Sequence, residues 1–432
     1  MKIKTFGAVD ERSLKQLERC MQVGDAEYGV LCADHHPGYS QPIGGAIAYE
    51  GYVSPSGVGY DIGCGNKAVC TELTRSDLDA LGGVAPIMRE ITRRISFGMG
   101  VPARERVDHA VLDRIRHAEF GPQRKLAGLA ESQLGTVGSG NHYVNLMEDE
   151  QQRVWVGVHF GSRGFGHKTA SGFLAMAQGL AFDARATEGE MDSPPVLLEV
   201  GTELGDAYVA AMQLAGEYAY AGRDVVVGKV LEILSTEPLH EVHNHHNFAW
   251  REEHLGRTYW VIRKGCTPAR PGQEGFVGGS MGDESVILEG VESGEAKESL
   301  FSTVHGAGRV MSRTQAAGRV RRRKRWACRN RDCERLFESP DSACPDHPAA
   351  RLMKVWVQEQ VKPGVVDWPA VQARLRDQGI VLIGGGADEA PEVYKRLPEV
   401  LDAHAGSIRV KHTLHPLGVA MAGGDVYDPY KD

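Results

Sequence analysis

The chain has 432 residues, of which 42% are hydrophobic and 25% charged, a composition typical of a globular protein with a sizeable core. Its formal net charge of −8 excludes a general attraction to nucleic acid, so such a partner requires a local basic patch. The sequence offers no apolar run of membrane-spanning length and no signal-peptide core after Met1. We therefore expect a cytoplasmic protein without a membrane partner. Its eight cysteines then favour metal binding or catalysis over disulfides.

Strand and helix patterns follow one another along the whole chain, and no internal repeat is present. Residues 1–58 are predicted to be strand and loop, and residues 73–120 mainly helical, with apolar positions three and four apart over 106–115. The longest helical pattern, 204–234, predicts one helix or two broken near Gly222. Further elements are strands at 154–158, 258–262, 380–383 and 408–413, a helix capped by Asp367 and a helix after Pro391. The pattern predicts an α+β fold with one large domain.

The glycine-rich turn at residues 59–65 contains Asp61 and Cys64. Glycine permits positive φ and a close approach of the backbone to a ligand, so this run predicts a tight loop on which both side chains converge. A carboxylate beside a thiolate suits a borderline divalent ion such as manganese, zinc or cobalt. The alternative is a glycine turn around a buried cysteine.

Three histidines stand beside Gly or Asn at predicted element ends: His142, His159 and His246. One such histidine is more often a core or surface residue than a ligand. Three of them, added to Asp61 and Cys64, provide enough donors for two divalent ions with the thiolate bridging. The spacings match no zinc-finger or HExxH motif.

Two arginines lie in small-residue loops that suit phosphate oxygens. Arg163 follows His159 across Gly-Ser, and Arg309 follows His305 across Gly-Ala-Gly. The alternative for each arginine is an ordinary surface charge. His305 is a candidate nucleophile toward phosphorus, because a neutral imidazole attacks a phosphoryl group when cations neutralise the developing charge. A loop carrying Lys264 offers a further cation.

Six motifs occur in the order in which they are found in the RtcB family of RNA-splicing ligases, which this chain resembles over about residues 25–320 and 352–420. They are GYDIGCG, GSGNH, HFGSRG, HHN, GSMG and HGAGR. The resemblance implies that the protein joins RNA ends carrying a 2′,3′-cyclic phosphate or 3′-phosphate to 5′-hydroxyl ends, using GTP and Mn²⁺. It also implies a fold built on mixed or antiparallel sheets with surrounding helices. The resemblance leaves open whether an activating partner of the archease kind is required.

The resemblance also implies roles for individual residues. Two manganese ions are expected on Asp61, Cys64, His142, His159 and His246, with Cys64 bridging. His305 is expected to become covalently attached to GMP from GTP. Arg163 is expected to contact the RNA, and Asn141 and Arg309 are expected to bind phosphates. The expected nucleotide-binding set is Asn141, Asn145, Lys264, Ser280, Met281, His305, Gly306, Gly308 and Arg309.

At two positions the sequence departs from the family where the guanine base is expected. The family usually has a glutamate three residues after the first ligand histidine, where this chain has Asn145, and a lysine before a glycine near the C-terminus, which residues 416–423 lack. A carboxylate only accepts hydrogen bonds, whereas an amide donates and accepts. We therefore expect relaxed or altered selectivity for guanine.

The second departure is an insertion, which divides the expected organisation into a core segment 1–318, an insertion 319–351 and a core segment 352–432. Cys328, Cys333, Cys344 and His347 have the spacing C-x4-C-x10-C-x2-H, which predicts a tetrahedral zinc site whose metal supplies folding energy. The alternative is scattered cysteines in a surface loop.

The insertion also begins with six basic residues over 319–325, followed by Trp326, which suggest binding to a nucleic-acid backbone. The alternative is a solvated linker.

Three other functions stay open at this point. A capping enzyme transfers the nucleotide to a 3′-phosphate but seals poorly, and a non-catalytic relative only binds broken nucleic-acid ends. A metal-dependent phosphoesterase uses the same ligands without a covalent adduct. Retention of His305 with five ligands argues against the non-catalytic reading.

Overall fold

In the computed structural model, the described residues are 2–187, 191–330, 333, 335–424 and 426, with the side chains of 320, 322 and 358–360 left aside. The strands are β1 (Lys2–Thr5), β2 (Tyr28–His36), β3 (Ile43–Tyr49), β4 (Tyr52–Val53), β5 (Gly65–Thr74), β6 (Tyr143–Glu148), β7 (Arg153–Phe160), β8 (Leu198–Glu199), β9 (His240–His245), β10 (Asn247–His254), β11 (Arg257–Lys264), β12 (Cys266–Pro268), β13 (Glu274–Val277), β14 (Ser285–Gly290), β15 (Ser302–Val304), β16 (Gly318–Cys328), β17 (Leu336–Phe337), β18 (Leu352–Pro363), β19 (Val381–Gly385) and β20 (Ile408–Gly423). The helices are α1 (Glu11–Met21), α2 (Pro55–Val58), α3 (Arg75–Ala80), α4 (Val84–Arg94), α5 (Ala110–Arg116), α6 (Gly121–Arg124), α7 (Ala127–Gln133), α8 (Arg163–Ala177), α9 (Glu203–Leu234), α10 (Gly294–Glu298), α11 (Arg313–Ala317), α12 (Trp368–Asp377) and α13 (Leu397–Asp402).

Two sheets form the framework. The larger follows the order β13-β14-β20-β6-β7-β5-β9, with β19 parallel to β20 and the other neighbours antiparallel. The smaller follows the order β1-β2-β3-β11-β10, in which only β1 and β2 are parallel. Helices pack around both sheets, so the predicted α+β fold with mixed sheets is confirmed.

Helix α9 is the long helix predicted over 204–234, and it is unbroken at Gly222. It begins where the Thr202 side chain accepts a hydrogen bond from the Gly205 amide. Gly222 lies against the Phe160 ring, and a Cβ there would be 3.4 Å from that ring. Valines of the following turns join the β7 core, so packing against the large sheet favours one continuous helix over two.

The segment 73–120 is less helical than predicted. Strand β5 continues to Thr74, and residues 95–109 contain no helix. Helix α5 begins only at Ala110, because the His109 side chain accepts a hydrogen bond from the Val111 amide and caps it. The spacing of apolar residues does not show at which residue a cap allows the helix to begin.

The C-terminal segment follows the prediction more closely. The Asp367 carboxylate accepts from the Ala370 amide and caps α12, as expected. After Pro391 there is one 3₁₀ turn and then α13, in place of a single helix. Strand β20 is longer than predicted because it pairs with β14 over one part and β6 over another.

The basic segment forms a strand. β16 pairs with β18 from Gly318 opposite Pro363 to Cys328 opposite Leu352, so the ribbon includes residues 352–363 of the predicted second core segment. The tail at 425 and 427–432 lies outside the described residues. None of the helices in the described part of the chain combines the length and apolar character that a membrane span requires.

Candidate active site

The register of the large sheet brings four sequence-distant loops to one sheet end. Gly65 of β5 lies opposite both Phe160 of β7 and His245 of β9. Tyr143 of β6 lies opposite His159. Because Cys64, His142 and His246 are each one residue beyond these paired positions, strand pairing alone places them beside His159.

The predicted metal ligands do come together. The Cys64 sulfur lies 3.7 Å from Nε2 of His142 and 3.8 Å from Nε2 of His159. Asp61 Oδ2 lies 3.2 Å from His142 Nε2. The His246 ring stacks on that of His159, with centroids 5.1 Å apart. Donor atoms of Cys64, His142 and His159 lie within 4.8 Å of one another, and Asp61 beside His142 and His246 against His159 extend this group, so the donor set fits divalent-metal binding.

The histidine protonation states suit metal binding. His159 Nδ1 lies 2.6 Å from the amide oxygen of Asn66, so Nδ1 donates and Nε2 keeps its lone pair toward Cys64. Burial lowers the pKa of His159 and of His246 well below the ordinary value, which keeps both imidazoles neutral. Nδ1 of His246 is buried and has no hydrogen-bond partner among the described residues. A buried ring nitrogen without a partner, in a histidine stacked on His159, fits a role as a metal ligand.

The acidic donors have opposite pKa shifts. Burial raises the pKa of Asp61, but the hydrogen bond and charge of His142, with Arg163, outweigh it and hold that pKa at about 2. Burial, together with the nearby Asp61 charge, raises the pKa of the Cys64 thiol well above its ordinary value. A divalent ion favours the thiolate, so metal binding here would release a proton. The close approach of Asp61 requires Gly161, where a Cβ would lie 2.2 Å from the carboxylate.

A buried arginine fixes the backbone behind these ligands. Arg223 of α9 is fully buried and donates to the carbonyl oxygens of Phe160 at 2.6 Å and Gly63 at 2.9 Å. It also donates to ring nitrogens of His243 and His245. The sequence prediction missed Arg223, because an arginine within a helical pattern gives no sign that it reaches the sheet.

His305 follows β15 and is held by Asp34 at the end of β2. The Asp34 carboxylate accepts from His305 Nδ1 at 2.6 Å and from the His305 amide at 3.0 Å. Burial raises the pKa of Asp34, but the facing His305 outweighs it and lowers the pKa overall, so Asp34 stays a carboxylate. Gly308 has a φ of 78°, and a Cβ there would lie 1.9 Å from the Asp34 carbonyl oxygen. Glycine therefore permits the close contact between this loop and Asp34.

A cavity of about 260 Å³ opens beside His305. Most residues expected to bind the nucleotide line it: Asn141, Asn145, Ser280, Met281, His305, Gly306, Gly308 and Arg309. The cavity is also lined by residues outside the predicted site, namely His36, Ile43, Asn66, Tyr143, Arg313, Glu389, Tyr394, Val419 and Met421. His159 lies in the same wall, so the cavity and the metal-ligand cluster are continuous.

The expected cations occupy three different positions. Arg309 lines the cavity, where it donates to Glu389 at 3.3 Å and to the Asp388 carbonyl at 2.8 Å. Arg163 stands on the His142 side of the cluster, with Nη1 3.4 Å from His142 Nδ1 and a buried Nε that has no partner among the described residues. Lys264 is not brought to the cavity, since its ammonium donates to the Tyr39 carbonyl oxygen at 2.5 Å.

The structure also brings together the four residues of the C-x4-C-x10-C-x2-H pattern. One donor atom each of Cys328, Cys333, Cys344 and His347 lies within 4.8 Å of all the others. Cys328 and Cys344 are buried although they belong to a small surface unit. This donor set fits a closed tetrahedral zinc site.

Comparison with known proteins decides the family. The model of the family described as tRNA-splicing ligase RtcB matches residues 16–120 and 113–350. The chain belongs to the RtcB family. It is 33% identical to the RNA-splicing ligase RtcB of Escherichia coli over 312 residues, covering 66% of this chain and 75% of that protein. It is 31% identical to the tRNA-splicing ligase RtcB of Thermococcus kodakarensis, covering 72% and 79%, and 26% identical to that of Methanococcus maripaludis, covering 92% and 88%.

The matches confirm the predicted membership of the RtcB family and the predicted class of enzyme, an RNA ligase. Asp34 is the functional residue that sequence reasoning should have found. It begins the polar run Asp34-His35-His36 at the end of the buried strand β2, and site residues often gather where a strand ends. Glu389 and Tyr394 gave no such signal, since each lies in an ordinary polar segment.

Proposed function

We propose that this RtcB-family protein is a GTP- and Mn²⁺-dependent RNA ligase. It would join ends carrying a 3′-phosphate or 2′,3′-cyclic phosphate to 5′-hydroxyl ends. The observation that carries the proposal is the placement of His305, which Asp34 orients at 2.6 Å within a cavity that the metal-ligand cluster borders. A phosphoesterase would use such an imidazole only to transfer a proton, whereas the proposed ligase forms a covalent bond to it, so labelling of His305 separates the two.

Two manganese ions would be held by Asp61, Cys64, His142, His159 and His246. Such ions supply Lewis-acid stabilisation of phosphate charge when bound. The chain prepares the site without them, because the Asn66 oxygen fixes the His159 tautomer and Arg223 fixes the backbone of the Cys64 loop. Both features orient ligands in advance of binding.

His305 would act as the nucleophile. Because Asp34 accepts the Nδ1 proton, Nε2 carries the lone pair that attacks the α-phosphorus of GTP. A phosphorus–nitrogen bond forms as pyrophosphate leaves, which gives histidyl-GMP. A 2′,3′-cyclic end would first be opened by water to a 3′-phosphate. The guanylate then passes from His305 to the 3′-phosphate and frees the imidazole, and attack by the 5′-hydroxyl on the activated phosphate joins the RNA ends and releases GMP. Asn141 and Arg309 would hold phosphates, and Arg163 would meet the RNA.

The base would be read in part by Asn145. Its side chain is 5% exposed, lines the cavity and has an amide oxygen without a partner among the described residues. An unpaired buried acceptor favours a ligand that brings a donor. An amide also donates, so this position does not restrict the pocket to guanine as a carboxylate would. Ser280, Met281, Gly306 and Gly308 would complete the nucleotide pocket.

The insertion would hold one Zn²⁺ on Cys328, Cys333, Cys344 and His347, between two core segments. The boundaries 1–318, 319–351 and 352–432 are proposed from sequence, and the pairing of β16 with β18 supports extending the inserted unit to Pro363. Zinc would replace the hydrophobic core that so small a unit lacks.

The test is transfer of label from α-³²P GTP to the protein in the presence of Mn²⁺. We expect a labelled band in the wild type and its loss in His305→Ala. His117→Ala removes an exposed histidine at the end of α5 and is the matched control, which should label as the wild type does. RNA products resolved on a gel, sealed or only capped, then separate a ligase from a capping enzyme. Absence of any labelled band with GTP or ATP contradicts the proposal.

A further inference from the structure

The ribbon of β16 and β18 differs in charge from the rest of the chain. Its two strands carry eight basic residues and one acidic residue, whereas the whole chain has a net charge of −8. Basic residues at 319, 321, 323, 324, 354 and 362 are exposed. Such a local patch is the electrostatic feature that binds a polyanion in an otherwise acidic protein.

Tryptophan and lysine alternate on one face of this ribbon. Lys324 lies directly opposite Trp356, and Trp326 lies directly opposite Lys354. Opposed residues in an antiparallel pair share a face, and so do residues two apart on a strand, so all four side chains lie on the same side. The Lys324 ammonium is 5.0 Å from the Trp326 ring centroid, and that of Lys354 is 5.4 Å from the Trp356 centroid.

The two rings are unusually accessible for tryptophan. Trp356 is 55% exposed and Trp326 is partly exposed, although both are large enough to be buried in most folds. Exposed aromatic rings beside ammonium groups are what single-stranded nucleic acid requires, because bases stack on the rings while phosphates meet the cations. A duplex offers no free base faces of this kind.

We propose that the face formed by Lys324, Trp326, Lys354 and Trp356 is a docking platform for single-stranded RNA, separate from the active site. The choice of RNA over DNA rests on the proposed ligase function, whereas binding of a single strand rests on the platform alone. Cys328 continues the same face two residues beyond Trp326, so the proposed zinc would hold the end of the platform in place.

The platform is connected to the active-site cavity through α11. Arg313 begins that helix and lines the cavity, and β16 follows α11 directly at Gly318. Trp326 lies eight residues along the strand, about 26 Å from Gly318 at the usual rise per residue. The platform therefore binds a strand at a distance from the reacting ends, and it would raise affinity for RNA without entering the chemistry.

The test is binding of a fluorescein-labelled uridine twelve-mer with a 3′-hydroxyl to the zinc-loaded full chain, followed by anisotropy. Trp326→Leu/Trp356→Leu keeps apolar bulk but removes the ring faces, and we expect about tenfold weaker binding. Trp326→Phe/Trp356→Phe keeps the faces and should bind within about threefold of the wild type. Lys324→Ala/Lys354→Ala should lower the salt slope of log K by about 1.4, which corresponds to two phosphate contacts.

Several controls make the outcome decisive. Lys15→Ala/Lys297→Ala removes two exposed lysines from α1 and α10 and should leave binding unchanged. Zinc content shows that each variant keeps the folded insertion. Equal affinity of the leucine variant and wild type, or equal competition by duplex RNA, overturns the platform. Binding of a deoxyuridine twelve-mer without binding of the uridine twelve-mer overturns the assignment to RNA. The binding assay contains no GTP, Mn²⁺ or reactive RNA end. Its result therefore does not depend on whether His305 is labelled in the test of the proposed function.

Discussion

Asp34 and His305 are 271 residues apart in sequence, and the Asp34 carboxylate accepts the hydrogen bond from His305 Nδ1 at 2.6 Å. Asp34 is fully buried, while the His305 side chain is 14% exposed toward the cavity. In the neutral imidazole, this contact selects the tautomer with its proton on Nδ1, which leaves the Nε2 lone pair available for attack. Orientation of an imidazole by a buried carboxylate is a general way to prepare a histidine for proton or phosphoryl chemistry.

Asp34→Asn should slow nucleotidyl transfer to His305 by about 10²-fold or more, because a neutral amide no longer stabilises the charge that the imidazole gains as it attacks. The measurement is the single-turnover rate of His305 labelling with saturating nucleotide. Asp79→Asn changes an exposed carboxylate on α3 and should keep the wild-type rate. A wild-type rate in Asp34→Asn would show that Asp34 has only a structural role.

Asn145 should allow the protein to use other nucleoside triphosphates besides GTP for the labelling of His305. We expect His305 to be labelled from ATP within about tenfold of the rate from GTP, the equivalent of one neutral hydrogen bond. Asn145→Glu should shift labelling toward GTP, because a carboxylate accepts two donors from the guanine edge, while Asn145→Gln controls for the added length. Labelling of the wild type by GTP alone among the four nucleotides contradicts the hypothesis.

Cys344→Ser should remove the zinc from the insertion and leave Mn²⁺ binding at the core unchanged. The reason is that the four donors of the insertion form one group, and Cys64, His142 and His159 form another. Elemental analysis should find one zinc per wild-type chain and none in the variant. Cys70→Ser, a buried β5 cysteine outside both clusters, is the matched control and should retain the zinc. Zinc retained by Cys344→Ser would rule out this ligand set.

Glu252 should contribute to stability over a defined pH range. Burial raises its pKa, but Arg263 at 2.8 Å and the hydrogen bond of His254 outweigh it and lower the pKa from 4.5 to about 2. A lowered folded-state pKa stabilises the fold above the unfolded value, so this contribution is present above pH 4.5 and lost as pH falls through about 2.

Glu252→Gln should therefore destabilise the protein by about 3–5 kcal/mol at neutral pH, because it leaves the buried Arg263 charge without a compensating negative charge. Urea unfolding at a series of pH values measures the difference, which should shrink as the pH falls toward 2. Glu253→Gln alters the neighbouring exposed carboxylate and should change stability by less than about 0.5 kcal/mol. A pH-independent difference would indicate a cause other than this ion pair.

Local patterns in the sequence were sufficient for several features. The glycine turn that presents Asp61 and Cys64, the Asp367 cap and the helical character of α9 each depend on residues within a few turns of one another, whereas the continuity of α9 at Gly222 depends on packing against the large sheet. The ordered loop motifs were enough for the family, which the comparisons confirm. The four zinc-pattern residues also lie close together in sequence, and the fold brings their donor atoms together.

The sequence by itself thus determined the types of side chain available for the site and the loops that carry them. Only the tertiary structure decided that Asp34 orients His305, that Arg223 supports the Cys64 loop and that Lys264 turns toward Tyr39. It also placed Trp356 across from Lys324 on the ribbon. The physical reason is that these contacts depend on which strands pair and in which register. Strand pairing joins residues far apart in the chain, and periodicity within one segment carries no information about its partner.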